Sequence, residues 1–198
     1  MVLDTKSRLR RKYLSRRNSL AGRQIYEMSK VIQDQVINCS EFWSAPVIGS
    51  YFPINSEVMT QNIISASLGR KQVGLPKIEE GEIRFYEIAQ FDWMGQLRYG
   101  RYGLREPTKS KDISESIRLL IVPGTVFDTN GRRLGYGKGY YDRFISHVRR
   151  TGIPLFTIGL AFDFQLLNGV SLPYTRLDER VDMIVTERKI IKVMKSNS

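Results

Sequence analysis

One cysteine, Cys39, and one histidine, His147, are all that this 198-residue chain holds of either type. A lone cysteine excludes an internal disulfide and a cysteine-based zinc cluster. A lone histidine argues against a histidine-centred metal site or a Ser/His/Asp triad. Cys39 reads as a small core residue, and His147 as a surface cation near the end of a helix. Long apolar runs are missing too: none approaches the roughly 18–20 residues of a membrane helix, and the N-terminus is too charged for a signal-peptide core. A cytoplasmic protein is expected. If it is an enzyme, its chemistry rests on carboxylates, cations, backbone amides and bound ligands.

Positive charge is abundant. The net charge is +11, and Lys6, Arg8, Arg10, Arg11, Lys12, Arg16, Arg17 and Arg23 face only Asp4 at the start of the chain, a local excess of +7. Such a balance points to a polyanionic partner, either nucleic acid or a small phosphorylated or polycarboxylate ligand. Hydrophobic residues make up 41%, enough for a substantial core in a chain that fits one domain.

The apolar spacing orders the elements. Asp4 or Thr5 can cap a helix running to about Asn18, and residues 21–38 carry Ile25, Met28, Ile32 and Val36 at helical intervals. Residues 47–52 read as a buried strand stopped by Pro53, Ile54 and Asn55. Ser56 can cap a helix ending at Gly69, and residues 72–75 form a short strand halted by Pro76. Residues 83–88 alternate as a strand, 91–111 read mostly as loop, and 119–122 as a central strand. Residues 128–131, DTNG, signal a turn; 140–150 are helical; 156–162 and 181–185 are further strands; and 188–198 read as a frayed basic tail. This alternation predicts a single three-layer α/β/α domain, residues 1–198, with a mostly parallel central sheet and N-terminal helices.

Between a predicted central strand and a predicted helix lies RRLGYGKGYYDRF, residues 132–144. Gly135, Gly137 and Gly139 alternate there. Glycine permits positive φ and close approach of backbone N–H groups to a ligand, and a helix N-terminus adds a partial positive charge. The loop reads as a phosphate cradle with Arg132, Arg133 and Lys138 as added charges, or else as a mobile turn between strand and helix. Its spacing matches neither the dinucleotide fingerprint nor the Walker pattern. Asp142, in the first helical turn, serves equally as a dipole-favoured carboxylate or as a Mg²⁺ ligand beside phosphates. Lys6 and Arg10, four apart, form one basic helical face that is either solvated or ligand-binding.

The longer stretch IVPGTVFDTNGRRLGYGKGYYDRF, residues 121–144, closely resembles the signature of the 5-formyltetrahydrofolate cyclo-ligases, also called 5,10-methenyltetrahydrofolate synthetases. The resemblance extends to KSRLR at 6–10, YFPINSEVMT at 51–60, GLREP at 103–107, IGLAFDFQL at 158–166 and LPYTRLDERVDMIVTE at 172–187. It implies ATP-dependent conversion of 5-formyltetrahydrofolate to 5,10-methenyltetrahydrofolate, with Mg²⁺. Carried onto this chain, it makes Lys6, Arg10, Arg133 and Lys138 the catalytic cations. Lys6, Arg10, Arg133, Leu134, Gly135, Tyr136, Gly137, Lys138, Gly139, Tyr140 and Tyr141 would hold ATP; Asp142 and Asp178 would hold the metal; and Phe52, Glu57 and Tyr102 would bind the folate. Leu177 stands where the family often has histidine, and Tyr102 where some members have tryptophan.

Read as residues alone, Glu57 is also suited to the first turn of a helix, and Phe52 and Tyr102 to core packing. The rival functions are a basic RNA- or DNA-binding module using Arg8 to Arg17 as an arm, and a different ATP-dependent ligase or kinase on the same scaffold. The cyclo-ligase reading expects no specific nucleic-acid partner, no membrane, a folate with or without a polyglutamate tail, and a monomer or dimer. Asp128, Glu106 and Asp182 are expected only to shape turns and strand ends.

Overall fold

The computed structural model describes residues 2–89, 92–100, 105–108 and 110–194. Two helices open the chain: α1 (Val2–Asn18) and α2 (Gly22–Ile37), with the short α3 (Ser40–Ser44) behind them. α1 is already under way at Asp4, so neither Asp4 nor Thr5 is its cap. At the start of α2, Ala21 N–H donates to Gln24 Oε1 (3.0 Å), which satisfies one of the amides left open at a helix start.

Among the described residues the central sheet has seven strands, in the order β12 (Ile190–Lys192), β11 (Met183–Val185), β9 (Phe156–Leu160), β6 (Leu119–Val122), β1 (Val47–Gly49), β2 (Gln72–Glu79) and β3 (Glu82–Glu87). β1, β2, β6, β9 and β11 run parallel. β3 and β12 are antiparallel at the two edges. The parallel strands are continuous apolar runs because both faces are covered. On one face Ile32, Val36, Phe42 and Ile63 of α2, α3 and α4 (Gln61–Ser67) pack on Ile48, Ile121 and Ile158. On the other, Phe144, Ile145 and Val148 of α5 (Tyr140–Arg150) pack on Phe85, Leu120 and Val122. The fold is the expected three-layer α/β/α. Ile32 is fully buried, so Ile32→Ala is expected to cost about 2–5 kcal/mol.

Several local expectations give way. β2 continues through Pro76. Its partner Phe85 turns its own N–H and C=O away from β2, to Ser114 Oγ (2.8 Å) and Ile113 N (2.9 Å), so proline forfeits no ladder bond. The helix expected from Ser56 starts only at Gln61, and residues 54–57 instead form a turn, with Asn55 at φ 51. The 91–111 stretch contains a hairpin of β4 (Leu97–Tyr99) and β5 (Arg105–Pro107). The supposed tail from residue 188 carries edge strand β12, and Lys192 Nζ meets Glu41 Oε1 at 2.7 Å.

A second, three-stranded sheet, β10 (Leu166–Leu167), β7 (Val126–Asp128) and β8 (Arg133–Leu134), lies against α1 through Tyr13, Val126, Leu134 and Leu172. Its DTNG turn is built by Asp128, whose Oδ1 accepts from Asn130 N (2.9 Å) and Arg132 N (3.1 Å) and whose Oδ2 accepts from Leu172 N (2.8 Å). Asp182 accepts from Thr157 N (2.9 Å) and Oγ1 (2.8 Å), likewise a structural task. Among the described residues no helix is long and apolar enough to cross a membrane.

Candidate functional site

The chain leaves β1 for β2 and β3 on one side of the sheet, then returns to β6 on the other. Loops at such a reversal diverge and leave a crevice at the carboxyl ends of the strands. Here the crevice is a cavity of about 920 Å³, bordered by Tyr51 and Phe52 after β1 and by Pro123 and Gly124 after β6.

One end of it is cationic. The glycine loop leads from β8 into α5, with Gly137 at φ 96 and Gly139, the residue before the first helical turn, at φ 69. Both values lie in the left-handed region that favours glycine. The loop thus brings the α5 N-terminus, with its free amides and dipole, to the cavity. α1 closes this end from above. Arg10 Nε donates to the Gly135 carbonyl (2.8 Å), and Lys6 Nζ to Asp178 Oδ2 (2.6 Å). Arg133 Nη2 lies 3.2 Å from Asp142 Oδ1. Arg133 is only 6% exposed, and its Nε and Nη2 have no aligned hydrogen-bond acceptor.

Among the described residues the two aspartates are engaged on one oxygen each. Asp142 Oδ1 faces Arg133 and accepts from Glu179 N (3.1 Å); Asp178 Oδ2 takes Lys6, Thr175 N (2.6 Å) and Thr175 Oγ1 (2.9 Å). Burial works against the Asp178 carboxylate, but the hydrogen bonds from Lys6 and Thr175 outweigh it and hold its pKa below the ordinary value. Among the described residues no cluster of three or more His, Cys, Asp or Glu forms a metal cage. Two carboxylates with a second oxygen each suit a hard cation that takes its other ligands from water and phosphate.

The other end of the cavity is apolar with one buried acid. Phe52, Ile54, Pro76, Ile78 and Ile83 line it with Glu57. Phe52 meets Trp93 edge-on at 6.2 Å and lies 5.9 Å below the Arg105 guanidinium. Glu57 is 4% exposed. Its Oε2 accepts from Ile54 N (3.1 Å) across the turn that Asn55 makes. Burial raises its pKa, opposed by the Arg17 charge and by hydrogen bonds from Ile54 N–H and the Tyr136 hydroxyl.

Lys6, Arg10, Phe52, Glu57, Arg133, the glycine loop, Lys138, Tyr140, Tyr141, Asp142 and Asp178 therefore border one cavity, although they come from both ends of the chain. Tyr102 lies outside the described residues. Glu57 does not begin a helix: it is held in a turn, and Ser56 donates to Asn18 Oδ1 (2.6 Å) and accepts from Arg17 Nε (3.2 Å). Arg17 is the residue that sequence reasoning missed. Counted only among the basic residues of an arm, it is 2% exposed and shares a helical face with Lys6, Arg10 and Tyr13, at intervals of four, three and four. That spacing was the available signal.

Similarity to known proteins extends along nearly the whole chain. The model of the 5-formyltetrahydrofolate cyclo-ligase family matches residues 2–187. The chain is 30% identical over 200 residues to a Schizosaccharomyces pombe protein named "Probable 5-formyltetrahydrofolate cyclo-ligase", covering 94% of this chain and 97% of that one. It is 27% identical over 180 residues to the 5-formyltetrahydrofolate cyclo-ligase of Escherichia coli strain K12, covering 88% and 96%. The NMR structure of Aquifex aeolicus 5,10-methenyltetrahydrofolate synthetase superposes with a TM-score of 0.84 at 31% identity, covering 98% of this chain and 95% of that one. Since the match spans the glycine loop, both aspartates and the two cations of α1, the chain belongs to the 5-formyltetrahydrofolate cyclo-ligase family.

Proposed function

We propose that this protein converts 5-formyltetrahydrofolate and ATP into 5,10-methenyltetrahydrofolate, ADP and phosphate. The observation that carries the reading is the positive-φ glycine loop at the start of α5, with Lys6, Arg10 and Arg133 around it, in the same cavity as a buried acid suited to a pterin.

An N5-formyl group is an amide, so its carbon is a weak electrophile and its oxygen a poor leaving group. Transfer of the γ-phosphoryl group to the formyl oxygen breaks the bond to the β–γ bridging oxygen and releases ADP. The N10 lone pair then attacks the activated carbon, N10 loses its proton, and the C–O bond breaks as phosphate departs. The protein's contribution is positioning and charge stabilisation. In this reading Lys6, Arg10, Arg133 and Lys138, with the loop amides, stabilise charge spread over the transferring phosphoryl oxygens, each well-placed donor contributing about 3 kcal/mol. Residues 133–141 wrap the nucleotide. Asp142 and Asp178 would hold Mg²⁺, which when bound neutralises phosphate charge.

At the folate end, Glu57 accepts the paired N–H donors of the pterin, and Phe52 packs on the ring with Tyr102. Arg143, Arg150 and Arg176 add positive charge to the cavity wall, which suits the carboxylates of a polyglutamate tail. We further propose that the chain acts as a single domain in the cytoplasm. The testing experiment is incubation with 5-formyltetrahydrofolate and Mg·ATP, followed by the methenyl absorbance and ADP release.

A further inference from the structure

Arg17 carries a full charge at 2% exposure, yet among the described residues its hydrogen-bond acceptors are two hydroxyls and a carbonyl: Ser56 Oγ (3.2 Å), Tyr136 Oη (2.7 Å) and Gly124 O (3.4 Å). It stands behind the cavity wall, not on it. Burying a guanidinium without a directly bonded carboxylate is costly, so stability alone does not account for it. Its three acceptors belong to the turn that carries Glu57, the loop after β6, and the glycine loop. The Tyr136 hydroxyl accepts the Arg17 N–H and borders the same cavity as Glu57, whose pKa it helps to lower.

We propose that Arg17 is a positioning residue for the folate end of the site: acting through Tyr136 and Ser56, it holds the Glu57 carboxyl facing the cavity, where it accepts the pterin's N–H donors. This rests on the cyclo-ligase reading given above. Four ionisable groups face Glu57: Arg17 of α1, Tyr51 after β1, Tyr136 of the glycine loop and Tyr141 of α5. The three phenols are themselves pushed upward by burial and by Glu57, Tyr136 to about 12, so they are neutral near pH 7. Among the described residues, Arg17 is then the cation that opposes the burial of Glu57. A carboxylate that must accept two N–H bonds has to be ionised, and Tyr136 supplies the link through which the distant guanidinium sets its orientation.

The test is the KM for 5-formyltetrahydrofolate at saturating Mg·ATP, measured from methenyl formation in the wild type, Arg17→Met, Arg17→Lys, Tyr136→Phe, Glu57→Gln and the Arg17→Met/Glu57→Gln double variant. Arg17→Met is expected to raise the folate KM about tenfold while changing kcat and the ATP KM less than about threefold, and Tyr136→Phe to raise the folate KM by a similar factor. In Arg17→Met the acid limb of kcat/KM for folate moves to higher pH, and Arg17→Lys recovers part of the loss. In the Glu57→Gln background, Arg17→Met adds less than about a twofold effect, because its target is already neutral. Independent, multiplying effects in the double variant, or an unchanged folate KM in Tyr136→Phe, overturn the inference. Should Arg17→Met not fold, the same cycle is run with Tyr136→Phe, whose side chain is half exposed. A wild type that yields no methenyl product sinks the cyclo-ligase reading itself; an active wild type with a multiplying cycle sinks only the role of Arg17.

Discussion

Lys6 and Asp178 are 172 residues apart in the chain, and their side chains meet at 2.6 Å. The contact pins the first helix over the glycine loop, so a cation from one end of the polypeptide and a carboxylate from the other share one wall of the cavity. The two partners are not equivalent. Asp178 keeps the Thr175 N–H and hydroxyl when Lys6 is removed, whereas Lys6, with its side chain 7% exposed, loses its ion-pair partner when Asp178 is removed.

The variants should therefore diverge. Lys6→Met is expected to lower kcat/KM at least about 100-fold while costing about 1 kcal/mol or less of stability. Asp178→Ala is expected to cost about 3 kcal/mol, since it strands a buried ammonium. Denaturant unfolding and initial rates, measured side by side, check the asymmetry.

Gly137 tests the loop. At φ 96 a side chain is strained, and a Cβ there would lie 3.4 Å from Arg10 Cζ. Gly137→Ala is expected to cost about 1–2 kcal/mol and to raise the KM for ATP more than that for folate. Steady-state kinetics with each substrate varied in turn decide it.

Glu57 should show function obtained at the expense of stability. Burial raises its pKa above the ordinary 4.5. The folded state therefore holds that proton more tightly than the unfolded chain, and the associated stability is full below pH 4.5 and lost as pH rises through the folded value. Glu57→Gln imitates the protonated acid. It is expected to be more stable than the wild type at neutral pH, by about 1 kcal/mol, to lose that advantage as pH falls towards 4.5, and to bind folate at least tenfold more weakly. Melting curves across pH, with the folate KM, test both halves.

Much of this was legible from residue order alone. Short apolar runs such as 119–122 announce strands covered on both faces, and the spacing of Ile32 and Val36 announces a helix on the sheet. The glycine loop and its aspartate stand contiguous, so local chemistry marks them. Arg17 and the turn that holds Glu57 escaped because they depend on partners far along the chain. A glutamate after a serine reads as a helix start, and an arginine among arginines reads as surface, until Ser56, Tyr136 and Gly124 are seen around the guanidinium. Strand β12 was obscured for a similar reason: it is only three residues long, Ile190 to Lys192, set among basic residues, and looks like a tail until its pairing with Met183, Ile184 and Val185 is known.

That edge strand makes its own prediction. Removal of residues 189–198 should cost about 1–3 kcal/mol, because β11 loses its antiparallel neighbour and Ile191 its place on the core. The Lys192 ammonium holds the Glu41 carboxyl at about 2, below its ordinary 4.5. This tether is present above pH 4.5 and lost as pH falls towards 2. Lys192→Ala should accordingly be less stable than the wild type near neutral pH and indistinguishable from it near pH 2, as thermal melts at both values will show.

The most direct measurement mixes the purified protein with 5-formyltetrahydrofolate and Mg·ATP and follows the methenyl absorbance together with ADP. A grip on triphosphate and folate in one cavity predicts that both products appear in equal amounts, and that neither forms when Arg133 is replaced by alanine. ADP release without methenyl product, or undiminished conversion by the Arg133→Ala protein, would contradict it.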